Sequence, residues 1–301
     1  MAVAHSNTPY VTLYDTGDWH KLDDPATLPA NTGYDVAFNP DRSRLAVAHY
    51  SSPYVALYDT GDWSKIGNPT TLPTGTAHGV AFSPDGSLLV VCHESSPYLT
   101  IYNTSDWSKV SDPETLPGGI GVGPSFSLDG SLLAIAHYSS PFITIYNTSD
   151  WSKVADPPTL PASSGRSSAF SPDGTQLAVA HLSSPYLTIY NTSDWSKISN
   201  PASLPSSTGY GVAFSPDGTL LAVAHNNSPY VTIYNTSDWS KVANPSTLPT
   251  GNGRGVTFSK DGARLSVIHD NTPYITNYDT SSWSKLANPS TLPTGNGQGV
   301  A

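Results

Sequence analysis

Short apolar stretches separated by turn residues recur along the whole chain. Residues 209–242 show the pattern clearly, with the sequence GYGVAFSPDGTLLAVAHNNSPYVTIYNTSDWSKV. Within it, Gly211–Phe214 is a short apolar run. Leu220–His225 is apolar on both faces, which is typical of a buried strand. Tyr230–Tyr234 is rich in β-branched and aromatic residues and alternates, which predicts a third strand.

Turn residues separate these runs and fix the direction of the chain. Ser215–Gly218 (SPDG) predicts a tight turn, because proline fixes φ and glycine tolerates a positive φ. Asn226–Pro229 and Asn235–Asp238 predict two further turns. Trp239–Val242 then predicts a fourth, outer strand. It ends before Pro245, because proline is tolerated at a sheet edge but not in a central strand.

This unit repeats seven times without an insertion, and the period is 44 residues. The seven tryptophans keep the spacing, at positions 19, 63, 107, 151, 195, 239 and 283. Seven histidines keep it too, at positions 5, 49, 93, 137, 181, 225 and 269. Four antiparallel strands in a period of about 40–45 residues are typical of a propeller blade. The sequence therefore predicts an all-β, seven-bladed β-propeller, with residues 1–301 forming a single domain.

The runs FSPDGxLLAVA and YVTIYNT resemble the repeat of the WD40 family, in which a similar run leads to a Trp-Asp pair. Tyr-Asp pairs stand in that place at 14–15, 58–59 and 278–279, and the four middle copies have Tyr-Asn. The family's Gly-His dipeptide is replaced by Gly-x-Gly, as in Gly209–Gly211. The family's Asp–His–Ser–Trp hydrogen-bond relay is therefore not carried over. The near-identity of the copies resembles bacterial and phage-associated relatives of WD40 proteins.

The two ends of the chain carry complementary parts of one repeat. Met1–Ala4 is in phase with Leu221–Ala224, and Gly299–Ala301 is in phase with Gly211–Ala213. We expect the C-terminal strand to pair with the N-terminal strand inside one blade and to close the ring, so that no sheet edge stays open. The ends are interpreted either as natural ends or as boundaries cut from a longer array.

Composition narrows the possible functions. Only 12% of the residues are charged, and 13 Lys and Arg against 23 Asp and Glu give a formal net charge of −10. Nucleic acid and anionic membranes attract clustered basic residues, so neither is an expected partner. The lone Cys92 excludes an intrachain disulfide. No membrane span or signal peptide is predicted, and the expected location is cytoplasmic or virion-associated.

The recurring residues are interpreted first as structural. The tryptophans are predicted to be buried between neighbouring blades, and the Asp of each SPDG turn, such as Asp85 or Asp217, is predicted to hold its turn. The seven histidines lie on different blades, whereas a zinc site needs its ligands about 2 Å from one ion. They are predicted to bond loop backbone instead, and whether they also bind an ion stays open. No catalytic residue, metal or cofactor is predicted.

Two phases of the repeat differ between copies while the rest is nearly constant. One is the residue after the repeating histidine, which we call the post-histidine position: Ser6, Tyr50, Glu94, Tyr138, Leu182, Asn226 and Asp270. The other is the middle of the Gly-x-Gly phase: Tyr34, His78, Val122, Arg166, Tyr210, Arg254 and Gln298. Both phases are predicted to lie on one face, near the central channel, whereas the turns of the opposite face have hardly changed.

The predicted function is a non-enzymatic binding or structural propeller, virion- or surface-associated, acting as a monomer on a protein or glycan. The predicted ligand-binding residues are Tyr34, His78, Arg166, Tyr210, Arg254, Gln298, Tyr50, Glu94, Tyr138 and Asp270. One alternative is an enzyme with a site at the channel mouth, for which Glu94, His78 and Asp270 are the candidate acid and base groups. Another is an excised or engineered repeat array without a retained function.

Overall fold

The computed structural model describes residues 1–301 and contains strands and turns but no helix. The strands form seven small sheets, six of three strands and one of four. This repeated all-β arrangement is consistent with a seven-bladed propeller. No segment forms a helix of the length and apolarity needed to cross a membrane.

Six sheets follow one plan, in which three strands that are consecutive in the chain pair antiparallel. Their first strands are β3 (Gly33–Phe38), β7 (Ala77–Phe82), β10 (Gly121–Phe126), β13 (Gly165–Phe170), β16 (Gly209–Phe214) and β19 (Gly253–Phe258). Their second strands are β4 (Arg44–His49), β8 (Leu88–His93), β11 (Leu132–His137), β14 (Gln176–His181), β17 (Leu220–His225) and β20 (Arg264–His269). Their third strands are β5 (Val55–Asp59), β9 (Leu99–Asn103), β12 (Ile143–Asn147), β15 (Leu187–Asn191), β18 (Val231–Asn235) and β21 (Ile275–Asp279).

The seventh sheet joins the two ends of the chain. It consists of β22 (Gly297–Val300), β1 (Ala2–His5) and β2 (Val11–Leu13), in that order. Strand β22 runs antiparallel to β1, with Val300 opposite Val3 and Gly299 opposite Ala4. The Ala2 amide donates to the Ala301 carbonyl at 2.8 Å, which extends the pairing by one residue. The expected pairing of the terminal strands is thus present.

The predicted fourth strand is wrong in most repeats. Only β6 (Lys65–Ile66) forms a regular outer strand, and the other six repeats have a single bridge from a tyrosine to a lysine, as between Tyr234 and Lys241. The reason lies in the turn. Trp239 has a φ of 58° and donates its amide to the Asn235 carbonyl, so the tryptophan belongs to the turn and only two or three residues remain to pair.

The core lies between neighbouring sheets. One cluster combines Ala46, Val55 and Leu57 of one sheet with Leu89 and Tyr102 of the next. The tryptophans pack against such clusters as predicted, but they are only partly buried. The largest fully buried side chains are instead seven equivalent tyrosines, which the sequence analysis did not single out: Tyr14, Tyr58, Tyr102, Tyr146, Tyr190, Tyr234 and Tyr278.

Each buried tyrosine also fixes a connector. The Tyr58 hydroxyl donates to the carbonyl of Thr27 at 2.9 Å, and the donors and acceptors of the six other bonds are equivalent residues. In the last of these bonds, Tyr14 reaches Thr291 at 2.9 Å. The long segment that leads to each first strand is therefore held against the third strand of the same sheet.

The seven repeating histidines are fully buried. His225 makes the predicted hydrogen bond to loop backbone, with its Nδ1 2.9 Å from the Asn226 carbonyl, but the partner that six of the histidines share is a side chain. In six repeats the histidine Nε2 lies 2.8–3.0 Å from the hydroxyl of a threonine on the third strand, as in His93 and Thr100. The two residues are seven apart, which places them side by side on paired strands. His49 is the exception, because Ala56 stands in the threonine position and both His49 ring nitrogens lack a partner.

We expect Ala56→Thr to stabilise the protein. A new hydroxyl would satisfy the buried His49 ring, and a buried hydrogen bond contributes about 1 kcal/mol to the free energy of unfolding. Urea denaturation at pH 7 measures the change. Thr100→Ala is the matched control and should lower the free energy of unfolding by a similar amount. A destabilised Ala56→Thr protein would show that this repeat has no room for the hydroxyl.

Candidate functional site

The first strand of every sheet carries a β-bulge at the middle of the Gly-x-Gly phase. In β10, Gly121 pairs with His137 and Gly123 pairs with Ala136, so the residue between them is skipped. The same shift occurs in the other six first strands. A bulge leaves one residue unpaired and re-aims its side chain. We call this the bulge position.

All seven bulge positions converge on one cavity of about 210 Å³, which we call the central cavity. Its lining includes Tyr34, His78, Val122, Arg166, Tyr210, Arg254 and Gln298. The residues that differ most between the repeats are therefore brought together from seven separate sheets. Their backbone setting is constant, and only their side chains change.

Glycines let the seven first strands approach closely around this cavity. A Cβ added to Gly211 would lie 2.9 Å from the Gly255 Cα, and one added to Gly299 would lie 2.5 Å from the Asp35 Cα. Real Cβ atoms do not approach that closely, so most repeats keep glycine after the bulge. This constraint explains why the position after the bulge is glycine in most repeats, whereas the bulge residue itself varies between repeats.

Arg254 forms a fixed ion pair at the rim of the cavity. Its Nε and Nη2 donate to the two carboxylate oxygens of Asp270 at 2.6 and 2.9 Å. The Asn252 amide adds a third hydrogen bond to that carboxylate at 3.1 Å. Partial burial by itself would lower the pKa of Arg254, but the hydrogen bonds and charge of Asp270 raise it overall. Both charges are therefore matched within the protein.

Arg166 has no such carboxylate. Its guanidinium donates to the Tyr138 hydroxyl, and it lies 4.5 Å from the centroid of the Tyr138 ring. The Tyr210 ring centroid is 5.5 Å from the same guanidinium, and Arg254 approaches that ring at 4.5 Å. Cation–π contacts of this kind hold the guanidinium in place without neutralising its charge.

His78 forms the third contact group. Its Nε2 lies 3.3 Å from the Glu94 Oε1, and its ring centroid is 5.0 Å from that of Tyr34. Burial lowers the pKa of His78, against the raising effect of the hydrogen bond and charge of Glu94. The histidine side chain is 17% exposed, whereas that of Glu94 is 45% exposed. The imidazole therefore faces the cavity and the carboxylate faces solvent.

Asp35 is a cavity residue that the sequence analysis missed. It stands where most other repeats have glycine, and its Oδ2 accepts a hydrogen bond of 3.0 Å from the Val80 amide. Burial raises the pKa of Asp35 to about 7, although that hydrogen bond acts in the opposite direction. Comparing this phase between the repeats would have found it, because Asp35 is the one acidic residue among glycines and Ser167.

The ten predicted site residues fall into three groups. Tyr34, His78, Arg166, Tyr210, Arg254 and Gln298 line the central cavity. Glu94, Tyr138 and Asp270 lie outside the lining but contact residues within it. Tyr50 is 52% exposed, and its side chain makes no hydrogen bond. The structure thus brings six of the ten into the cavity lining and three more into direct contact with it.

No protein-family model matches the chain, and no curated protein matches it. Among solved structures, the chain is similar to one described as Kuenenia stuttgartiensis hydrazine synthase, with a TM-score of 0.70. Sequence identity is 20%, and the match covers 89% of this chain and 80% of that chain. The similarity supports a propeller-like repeat fold. The resemblance to the WD40 family stays a prediction.

Proposed function

We propose that the protein is a non-enzymatic binding module that holds a protein or glycan partner over the central cavity. The observation that carries the proposal is the convergence of all seven bulge positions, which differ between repeats, on one cavity. Identical repeats would present seven equal surfaces, and such a surface has no means of fixing an asymmetric partner in one orientation. The variation in side chains supplies that means.

The proposal includes a closed seven-bladed ring in which residues 1–301 act as one domain. Consecutive first strands pack against each other, and β22 packs against both β19 and β3. One contact between neighbouring sheets also recurs where the sheet of Arg264 meets the sheet that joins the two ends of the chain. Arg44 donates to the Thr104 carbonyl beside Trp107, and Arg264 donates to the Thr16 carbonyl beside Trp19. Neighbouring sheets therefore meet in the same way at the ends as within the chain, which supports closure.

The enzymatic alternative is weaker on geometry. Its candidate groups were Glu94, His78 and Asp270. His78 and Glu94 lie within 3.3 Å of each other, but Asp270 is held by Arg254 on a different sheet. Both Asp270 carboxylate oxygens already accept hydrogen bonds from Arg254, and an acid–base group must lie within hydrogen-bond reach of the same reacting atoms as its partners. The three groups therefore do not form one acid–base set.

We expect a uniform variant to lose binding while it keeps its fold. Replacing the six non-valine bulge residues with valine, the residue at position 122, leaves the backbone glycines untouched. Because the variant also removes the Arg254 ion pair with Asp270, its fold is verified first by circular dichroism and thermal unfolding. The measurement is a screen of labelled protein on glycan arrays and in protein pull-downs, followed by the affinity of each partner found. Affinity should fall at least about tenfold, or about 1.4 kcal/mol.

The control changes the opposite face. Gly17 and Gly61 stand in the NTSDW turn phase, where five repeats have serine, so Gly17→Ser with Gly61→Ser makes that turn position uniform. This variant should bind like the parent. A partner that tolerates the valine variant but is lost with the serine variant would move the binding surface to the other face and contradict the proposal.

A further inference from the structure

Two arginines at the bulge position differ in one respect. In the repeat of Arg254, the post-histidine residue 16 positions later is Asp270, and the two form a bidentate ion pair. In the repeat of Arg166, the residue at the same spacing is Leu182. No carboxylate lies within ion-pair distance of Arg166, whose only hydrogen-bond acceptor is the Tyr138 hydroxyl.

The guanidinium of Arg166 is also incompletely satisfied. Its Nε is buried and has no hydrogen-bond partner. An arginine presents five N–H groups in a planar fork that matches the two oxygens of a carboxylate. A buried donor without an acceptor is unfavourable, so an acceptor that enters the cavity gains a pre-positioned partner. The rings of Tyr138 and Tyr210 both contact the guanidinium, with centroids 4.5 and 5.5 Å from it.

We propose that Arg166 is an anion-binding residue of the central cavity and that it takes the carboxylate of a small organic acid. In the same protein the equivalent Arg254 already binds a carboxylate in this geometry, namely that of Asp270. The cavity of about 210 Å³ admits a small molecule or the end of a longer one. This inference rests on the proposed function, since it names the ligand chemistry of that same cavity.

The repeats supply matched variants. Leu182→Asp places a carboxylate at the spacing that neutralises Arg254, so it should pair with Arg166 and compete with a ligand. Asp270→Leu does the reverse and should release Arg254 as a second anion site. Leu204→Asp is the control, because it makes the same chemical change at an exposed leucine that does not line the cavity. Arg166→Gln removes the charge without adding a new one.

The probe is glucuronate, with glucose as its neutral counterpart and inorganic phosphate as a second anion. Binding is followed by NMR titration, including the Nε–H signal of Arg166. We expect glucuronate to bind the parent and the Leu204→Asp variant, and to bind Leu182→Asp and Arg166→Gln at least tenfold more weakly. Asp270→Leu should bind glucuronate more tightly than the parent, because the cavity then holds a second arginine without a carboxylate partner. Glucose should leave the Arg166 signal unchanged.

Equal binding of glucuronate by the parent and by a folded Arg166→Gln variant would overturn the inference. Binding of phosphate but not of glucuronate would overturn the carboxylate assignment. These outcomes are separable from a failure of the proposed function. A neutral partner that is lost in the valine variant but insensitive to Leu182→Asp would support the binding module and contradict the anion site. If glucuronate binds through Arg166 while the partners bind the valine variant as tightly as the parent, the anion site is supported and the proposed binding module is contradicted.

Discussion

Lowering the pH from 7 to 5 is expected to unfold the protein, because seven histidines are buried in the uncharged form. Burial lowers the pKa of six of them to about 4 and also lowers that of His225. In an unfolded chain a histidine has a pKa of about 6.5. Between these two values the unfolded state binds more protons than the folded state, so the free energy of unfolding falls as the pH falls.

The free energy of unfolding is expected to depend steeply on pH. Each such histidine contributes about 1.4 kcal/mol per pH unit, so six contribute at most about 8 kcal/mol per unit, against a typical total stability of about 5–15 kcal/mol. Asp35 acts in the opposite direction, since the folded state holds its proton up to a pKa of about 7, but it is a single group.

Urea denaturation at pH 7, 6 and 5 measures this slope. His181→Gln is the test variant, because glutamine can still bond Thr188 and does not titrate. It should reduce the slope by about one proton. The surface variant His20→Gln should keep the slope between pH 6 and pH 5, because the hydrogen bond to Asp18 raises the pKa of His20 and confines its effect to higher pH. A free energy of unfolding that stays level from pH 7 to pH 5 would show that the histidines are accessible to protons in the folded state.

Deleting Gly297–Ala301 is expected to destabilise the protein and to promote association. The deletion removes β22, leaves the edge of β1 unpaired and uncovers Val3, which is fully buried. Loss of three or more backbone hydrogen bonds at about 1 kcal/mol each, together with apolar burial, predicts a loss of about 3–5 kcal/mol. For a chain of this size that is a fall in Tm of roughly 10 °C.

Thermal unfolding and size-exclusion chromatography with light scattering measure the two effects. Exposed strand edges pair with other chains, so dimers or larger species are expected. Gln298→Ser is the control, since it changes the deleted residue at the bulge position and keeps the backbone pairing. A monomeric deletion protein with an unchanged Tm would mean that the β22–β1 pairing contributes little to stability.

Much of the fold was predictable because the same pattern of apolar runs and turn residues occurs in seven copies. The positions of the first three strands, the positive φ of the SPDG glycines and the pairing of Val3 with Val300 all follow from periodicity and turn chemistry. The short outer strand was not predictable in the same way. The tryptophan there looks like a strand residue by propensity, but the hydrogen bond from its amide draws it into the turn, at a positive φ.

The sequence predicted which residues belong to the candidate site but not the contacts that they make with one another. Comparing equivalent positions identified Arg166 and Arg254 as variable residues on one face. It gave no means of knowing that Arg254 is neutralised and Arg166 is not, because that difference depends on Asp270 and Leu182 lying beside them across a bulge. Asp35 was missed because it appeared as a departure from glycine, and only the close approach of the first strands gives it a buried environment.

The pairing of β22 with β1 also has a consequence for biosynthesis. Every other sheet is complete once about 30 consecutive residues have emerged, because its strands are neighbours in sequence, and such local contacts form quickly. Strand β1 leaves the ribosome before the other strands of the propeller-like fold, but its partner residue Val300 follows almost 300 residues later. At about 5–20 residues per second that interval is on the order of 15–60 s. For that time the nascent chain displays an open, apolar strand edge, and molecular chaperones that shield such edges are expected to engage it until β22 has emerged.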